Sequence, residues 1–257
     1  MDFIEEANRK IDEMNISWEI YGLIDSEENI FSLKEDTKIL GRLFELMVAP
    51  MIRELASEND LISEPASSQT VYPDFTLMEN EEDQEKIAVD VKSTYRGGRY
   101  KTGYGEYEAG DLKPFTYTLG SFASYLRNGT KNILYPYSEY EKHYVIGFLY
   151  SRNENLTEGI KKDFSDREEI EPPFLDVEYF IQEKYKIAGE KPGSGNTENI
   201  GSFRTNDIDD LREGNGPFAE HGEEVFEEYW RNYPEYREED PKFTDLDSFF
   251  EWKEAQE

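Results

Sequence analysis

The sequence predicts a mixed α/β (α+β) fold, and three observations carry that prediction. Strand-like stretches at 16–33, 71–94, 131–152 and 177–189 are interleaved with helical apolar stripes at 2–14 and 36–51. At 257 residues the chain is long enough to bury one sizeable core. Its 37% hydrophobic and 14% aromatic content supplies the side chains for that core and excludes a disordered acidic chain.

Residues 2–14 form an amphipathic helix with Phe3, Ile4, Ala7, Ile11 and Met14 on one side. From Ile16 to Leu33 the pattern becomes two strands, ISWEIYGLI and NIFSL, around the turn-prone DSEE. This hairpin suits either a sheet edge or a dimer contact. Asp36 is a good N-cap for a helix with apolar positions Ile39, Leu40, Leu43, Phe44, Met47 and Met51, which Pro50 should kink. Glu45 falls off that stripe. It is either a solvated helix-face residue or a third carboxylate aimed at the site described next.

That site lies in 71–94, VYPDFTLMENEEDQEKIAVDVKST. Phe75 and Leu77 alternate with Asp74 and Thr76; Ile87, Val89 and Val91 alternate with Ala88, Asp90 and Lys92. The polar ENEEDQE between them is turn-like, so the expected hairpin sets Asp74 beside Asp90 with Lys92 next to both. Two carboxylates and an ammonium suit a hard, oxygen-liganded cation such as Mg²⁺, and metal-assisted phosphodiester hydrolysis is the chemistry that follows. The acid-x-Lys spelling also occurs at Asp36, Asp111, Asp240 and Glu251, but only Asp90 sits in an alternating apolar strand after a Pro-Asp strand.

Downstream, 95–114 is a Gly- and Tyr-rich loop, Thr118–Asn128 reads as a helix, and KNILYPY and HYVIGFLYSR read as strands. Lys131 and Arg152, at strand ends, suit phosphate contacts or plain surface charge. His143 and His221 have no metal-ligand spacing and are assigned no chemistry. Residues 153–173 read as a surface helix and loop, and VEYFIQEKYKIAG as a strand leading into GEKPGSGNTENIGS. Gly193-Ser194-Gly195-Asn196-Thr197 is no Walker A loop. It is either a flexible connector or a reader of DNA, in which Gly lets the backbone approach base edges while Asn and Thr hydrogen-bond there. The C-terminal stretches EEVFEEYWRNY and LDSFFEWKEAQE are acidic amphipathic helices.

The net charge is -30, with 58 Asp and Glu against 28 Lys and Arg, which by itself argues against a nucleic-acid partner. An acidic surface adapted to a salt-loaded cytoplasm removes the conflict, because at molar salt the Debye length falls to about 3 Å. There are no cysteines, so disulfides and thiolate metal sites are excluded. The acidic N-terminus lacks an apolar signal region and no apolar run is long enough to span a bilayer, so a cytoplasmic protein without membrane attachment is expected.

Taken together, FEL around Glu45, YPDFTL, IAVDVKSTY, TLG with RN and TKNI, IGFLYSR and the run IAGEKPGSGNTENIGS resemble, in order and spacing, the EcoRV-like type II restriction endonucleases of the PD-(D/E)XK superfamily. The resemblance implies a restriction-endonuclease-like fold, with a mixed central β-sheet flanked by helices. It implies one domain over 1–257, a dimerisation hairpin at about 16–35 and a recognition loop at 189–202. By the same resemblance Asp74 and Asp90 hold Mg²⁺ with the Val91 carbonyl, Lys92 positions or activates the attacking water, and Glu45 is an auxiliary acidic residue near the metals, counted with the catalytic and metal-site residues. Gly193, Ser194, Gly195, Asn196 and Thr197 contact the major groove and Gln69 approaches the minor groove. Thr94, Thr118, Lys131 and Arg152 contact DNA or couple recognition to cleavage. The implied partners are double-stranded DNA, a second copy of the chain in a homodimer, and a cognate DNA methyltransferase as genetic companion. The implied cut is blunt, at GATATC, with 5′-phosphate ends.

The sequence departs from the family around Gln69, in a longer loop at 95–114, and in an acidic C-terminal region where a basic one is expected. A junction or repair nuclease of the same fold would lack use for the intact GSGNT loop. A DNA-binding protein without catalysis would not need Asp74, Asp90 and Lys92 together.

Overall fold

A computed structural model describes residues 1–34, 36–96, 113–128, 132–153, 156–193, 198–235 and 238–256. Ser194, Gly195, Asn196, Thr197 and Lys131, and most of the loop at 95–114, lie outside the described residues.

The chain begins with α1 (Phe3–Met14), capped by the Asp2 side chain, and buries Phe3, Ala7 and Ile11, the positions that its apolar spacing predicts. Strands β1 (Gly22–Ile24) and β2 (Asn29–Ser32) pair antiparallel. The strand expected from Ile16 is therefore confined to its last residues. Upstream the backbone follows the packing of Trp18, whose ring meets Phe148 edge-on at 4.8 Å. Helix α2 (Thr37–Glu58) starts where the Asp36 carboxylate accepts hydrogen bonds from the Lys38 and Ile39 amides, and it contains Pro50. Its buried stripe is Leu40, Phe44, Val48, Met51, Ile52 and Leu55, while Ile39 is exposed.

The central sheet has the order β3 (Ile62–Pro65), β4 (Phe75–Met78), β5 (Lys86–Tyr95), β7 (Tyr140–Arg152) and β9 (Phe174–Glu183). Strand β6 (Thr118–Ser121) takes the first residues of the segment expected to be helical, and a π-helical turn, Ala123–Asn128, follows it. Strands β7 (Tyr140–Arg152) and β9 (Phe174–Glu183) flank β8 (Lys161–Asp163) in sequence. Only the β5–β7 pair is parallel, so the sheet is mixed. KNILYPY contributes one bridge, Ile133 to Tyr72, rather than a strand. Strand β8 joins β1 and β2 in a small outer sheet.

After β9 the expected long strand breaks into α3 (Lys184–Ile187) and β10 (Ala188–Pro192), and β10 pairs with β11 (Asn199–Ser202). Strand β11 pairs in turn with β6. Helices α4 (Ile208–Glu213), α5 (Glu223–Asn232) and α6 (Leu246–Glu254) complete the chain.

The alternation of β5 and β7 divides the core into two layers. Val89, Val91, Ile146 and Phe148 face α1 and α2, where Phe44 stacks on Phe148 at 4.3 Å. Ala88, Val145 and Leu149 face the β6–β10–β11 sheet and the C-terminal helices. Asp90, between Val89 and Val91 in sequence, points to that second layer, which fixes the side on which the candidate site opens.

Candidate active site

The β4–β5 register pairs Phe75 with Val89, and one further step sets Asp74 across from Asp90. The juxtaposition predicted from the alternation is present. The Val91 amide donates a 2.7 Å hydrogen bond to Asp74 Oδ2, which holds that carboxylate against β5. Lys92 Nζ lies 2.7 Å from Asp90 Oδ2 and 3.9 Å from Asp74 Oδ2. The Lys92 side chain keeps 27% of its surface exposed against 4% for Asp90, so the ammonium marks the open side.

The electrostatics are those of a crowded acid pair. Burial, then the charge of Asp90, raises the Asp74 carboxyl to about 8; Lys92 opposes the rise and Glu45 adds to it. Burial works against the Lys92 charge, yet Asp90 and Asp74 together hold its ammonium above the ordinary lysine range. Asp90 Oδ2 is buried and, beside the nearby ammonium, makes no directed hydrogen bond. Two buried carboxylates in mutual repulsion, set side by side, form a donor set that a hard divalent cation fits, since Mg²⁺ takes one or two protein carboxylates and completes its shell with water and phosphate oxygens.

Glu45 stands beside this pair rather than in it. Among the described residues no three His, Cys, Asp or Glu side chains form a group able to hold a metal. Glu45, 13% exposed, is engaged by Arg42 one turn earlier on α2. It nonetheless opens with Asp74 and Gln69 onto one cavity of about 350 Å³, which Arg42 and Arg53 also line.

The remaining predicted residues are spread along the same side of the sheet and beyond it. Thr94 is near the end of β5, opposite Leu149. Exposed Thr118 on β6 pairs with Gly201, next to the hairpin that carries Gly193. Gly193 lies so close to Gly201 that a Cβ there would come within 3.1 Å of the Gly201 Cα, a contact tighter than side chains normally make. Arg152 caps the Tyr95 ring at 3.3 Å.

Sequence reasoning passed over the groups behind Asp90. His143 is buried and its Nδ1 is 2.6 Å from the Tyr72 hydroxyl; burial, then the charges of Lys184 and Lys142, keeps its imidazole neutral at far below the usual histidine range. Lys184 is 1% exposed and carries no hydrogen bond on Nζ. The run EKYK carries no signal for the burial of Lys184, which lies just past the end of β9 at the start of α3.

The chain matches the family described as "Restriction endonuclease EcoRV" over residues 14–254. It is 36% identical over 240 residues to the Type II restriction enzyme EcoRV of Escherichia coli, covering 93% of this chain and 92% of that one. A mixed sheet flanked by helices, an acid pair with lysine across one strand hairpin, and a match running through nearly the whole sequence agree: the chain belongs to the EcoRV restriction endonuclease family, with its restriction-endonuclease-like fold.

Proposed function

We propose that this protein is a Mg²⁺-dependent type II restriction endonuclease that cuts double-stranded DNA at GATATC, leaving blunt ends with 5′-phosphates. The observation that carries the reading is the Asp74–Asp90 pair with Lys92 against both. A divalent cation bound there supplies polarisation of the scissile phosphate and a water of lowered pKa. Asp74 and Asp90, with the Val91 carbonyl, hold that cation. Lys92 acts as a donor: its charge, supported by two acids, orients the attacking water and steadies the negative charge that builds on phosphate. Glu45, tied to Arg42, acts as an auxiliary acid beside the pair.

Base reading falls to the loop containing Gly193, Ser194, Gly195, Asn196 and Thr197 in the major groove and to Gln69 in the minor groove. Thr94, Thr118, Lys131 and Arg152 hold backbone phosphates. One domain spans 1–257, and the protein acts as a homodimer through the outer sheet near 16–35. Exposed Leu23 and Ile24 on β1 support that interface. Sedimentation velocity reading the mass of a single 30.1 kDa chain would remove the dimer from this account. A cognate methyltransferase protects host DNA, and the acidic surface suits a salt-rich cytoplasm. Among the described residues no helix is long and apolar enough to cross a membrane.

The test is digestion of a plasmid carrying one GATATC site with Mg²⁺ across a KCl series, followed by end sequencing. A single blunt cut between the central T and A is expected. Defined cuts elsewhere would discard the specificity and keep the nuclease, and absence of cutting at every salt concentration would discard both.

A further inference from the structure

Behind Asp90, on the same face of the central sheet, lies a second cation that the proposed chemistry does not use. The register carries this face across three strands: Ala88 pairs with His143, Asp90 with Val145, and Val145 with Gln182. Lys184, two residues beyond Gln182 at the start of α3, continues the row beside His143. Its Nζ stands 4.5 Å from the Tyr72 ring centroid, 5.3 Å from that of Tyr125 and 5.8 Å from that of Tyr137. Tyr137 in turn stacks on His143 at 4.2 Å, so rings and imidazole close the cage. Tyr72 is two residues before Asp74 in sequence.

This cage gives an ammonium little of what water gives. Three ring faces attract a cation weakly, and no oxygen acceptor is bonded to it. Burial accordingly depresses Lys184 to about 8, and the charge that most opposes the fall is that of Asp90, ahead of Glu223 and Glu227. Lys92 acts on it as a repelling neighbour. Lys92 pairs with Asp90 from the open side at 2.7 Å, whereas Lys184, on the buried side of the same face, makes no ion pair with it and acts on it only through its charge.

We propose that Lys184 is a positioning residue whose buried charge sets how tightly the Asp74–Asp90 pair holds a divalent cation. This inference rests on the reading of that pair as the metal site. A buried positive charge on the face that carries Asp90 competes with an incoming cation, and in a buried setting that competition is only weakly screened. The same lysine opens the segment α3–β10 that leads to Gly193, so a shift of that segment alters the distance between this charge and Asp90.

Calorimetric titration of the full chain with Ca²⁺ alone, in moderate KCl, tests it. Lys184→Met is expected to bind Ca²⁺ roughly five- to tenfold more tightly than the parent. Lys184→Gln, which keeps a polar head should Met not fold, is expected to do the same, and Lys184→Arg to bind as the parent does. A merely structural role would weaken binding or leave it alone in the neutral variants, and either result overturns the proposal. Asp90→Ala in the same titration separates the two layers. If it loses Ca²⁺ binding while the neutral Lys184 variants match the parent, the role of Lys184 alone falls. If it binds as the parent does, the pair is not the metal site and both readings fall.

Discussion

Asp90→Ala is expected to lower DNA cleavage by roughly three orders of magnitude or more while leaving sequence-specific DNA binding measurable. Asp90 is 3% exposed, lies across from Asp74 and touches Lys92 at 2.7 Å, so its removal takes away both half of the proposed cation site and the partner that orients the ammonium. The same change should not unfold the protein. The charge of Asp90 is the second cause, after burial, of the raised Asp74 carboxyl, so without a metal the two acids repel, and deleting one relieves the other. The expected pair of results is a dead enzyme whose metal-free melting temperature is unchanged or higher, and whose melting temperature no longer rises with Ca²⁺. Glu45→Gln should cost far less, about tenfold, because Glu45 is already engaged by Arg42 and stands outside the pair. Single-turnover cleavage and calorimetric unfolding, with and without Ca²⁺, check both variants. Persistent cutting by Asp90→Ala would move the active site elsewhere, and a Glu45→Gln loss as large as that of Asp90→Ala would promote Glu45 to a metal ligand.

The site was legible because its information is local. A period of two in Phe75–Leu77 and Ile87–Val91 assigns faces, a short polar turn fixes the register, and together they determine which acid meets which. Asp36 and the stripe that follows gave helix α2 on equally local grounds. What failed depends on distant partners. Thr118–Asn128 has helical spacing, but its first residues are captured by β11. Ile16–Tyr21 alternates like a strand, but Trp18 is placed by Phe148 and Tyr179 on the central sheet. Lys184 lies in a run that reads as surface, EKYK, and becomes buried only because rings from three separate segments converge on it. No window of sequence contains that cage.

Raising KCl from about 0.1 M to about 2 M is expected to raise the melting temperature by roughly 10 °C, or about 3 kcal/mol. The argument starts from the surplus of acids. With 58 carboxylates to 28 basic side chains, ion pairing cannot neutralise the surface, and many of the cations are already committed. Lys10 serves Glu13 and Glu58, Lys86 serves Glu139, Arg96 serves Glu178, and Lys142 serves Glu183 and Glu223. Exposed Glu79, Glu81, Glu82 and Glu85 crowd the turn between β4 and β5, at the opposite end of that hairpin from Asp74 and Asp90, and Glu238, Glu239 and Asp240 crowd the approach to α6. Their mutual repulsion reaches about 10 Å at 0.1 M salt and about 3 Å at 1 M, so screening removes most of it. Sucrose at matched water activity should reproduce little of the gain, and Lys at positions 81, 82 and 85 should flatten the dependence. On the DNA side, among the described residues the cations that line cavities near the acid pair and the recognition hairpin are few: Arg42 and Arg53 at one, Lys191 and Arg204 at the other. Each phosphate contact contributes about 0.9 to the slope of log affinity against log salt, so few contacts give a shallow slope, and binding that survives salt must come from base contacts and apolar dimer burial. A melting temperature that stays flat or falls as KCl rises would mean that the acidic surface has another purpose. A steep loss of DNA affinity over the same range would mean that phosphate contacts, not base reading, carry the complex.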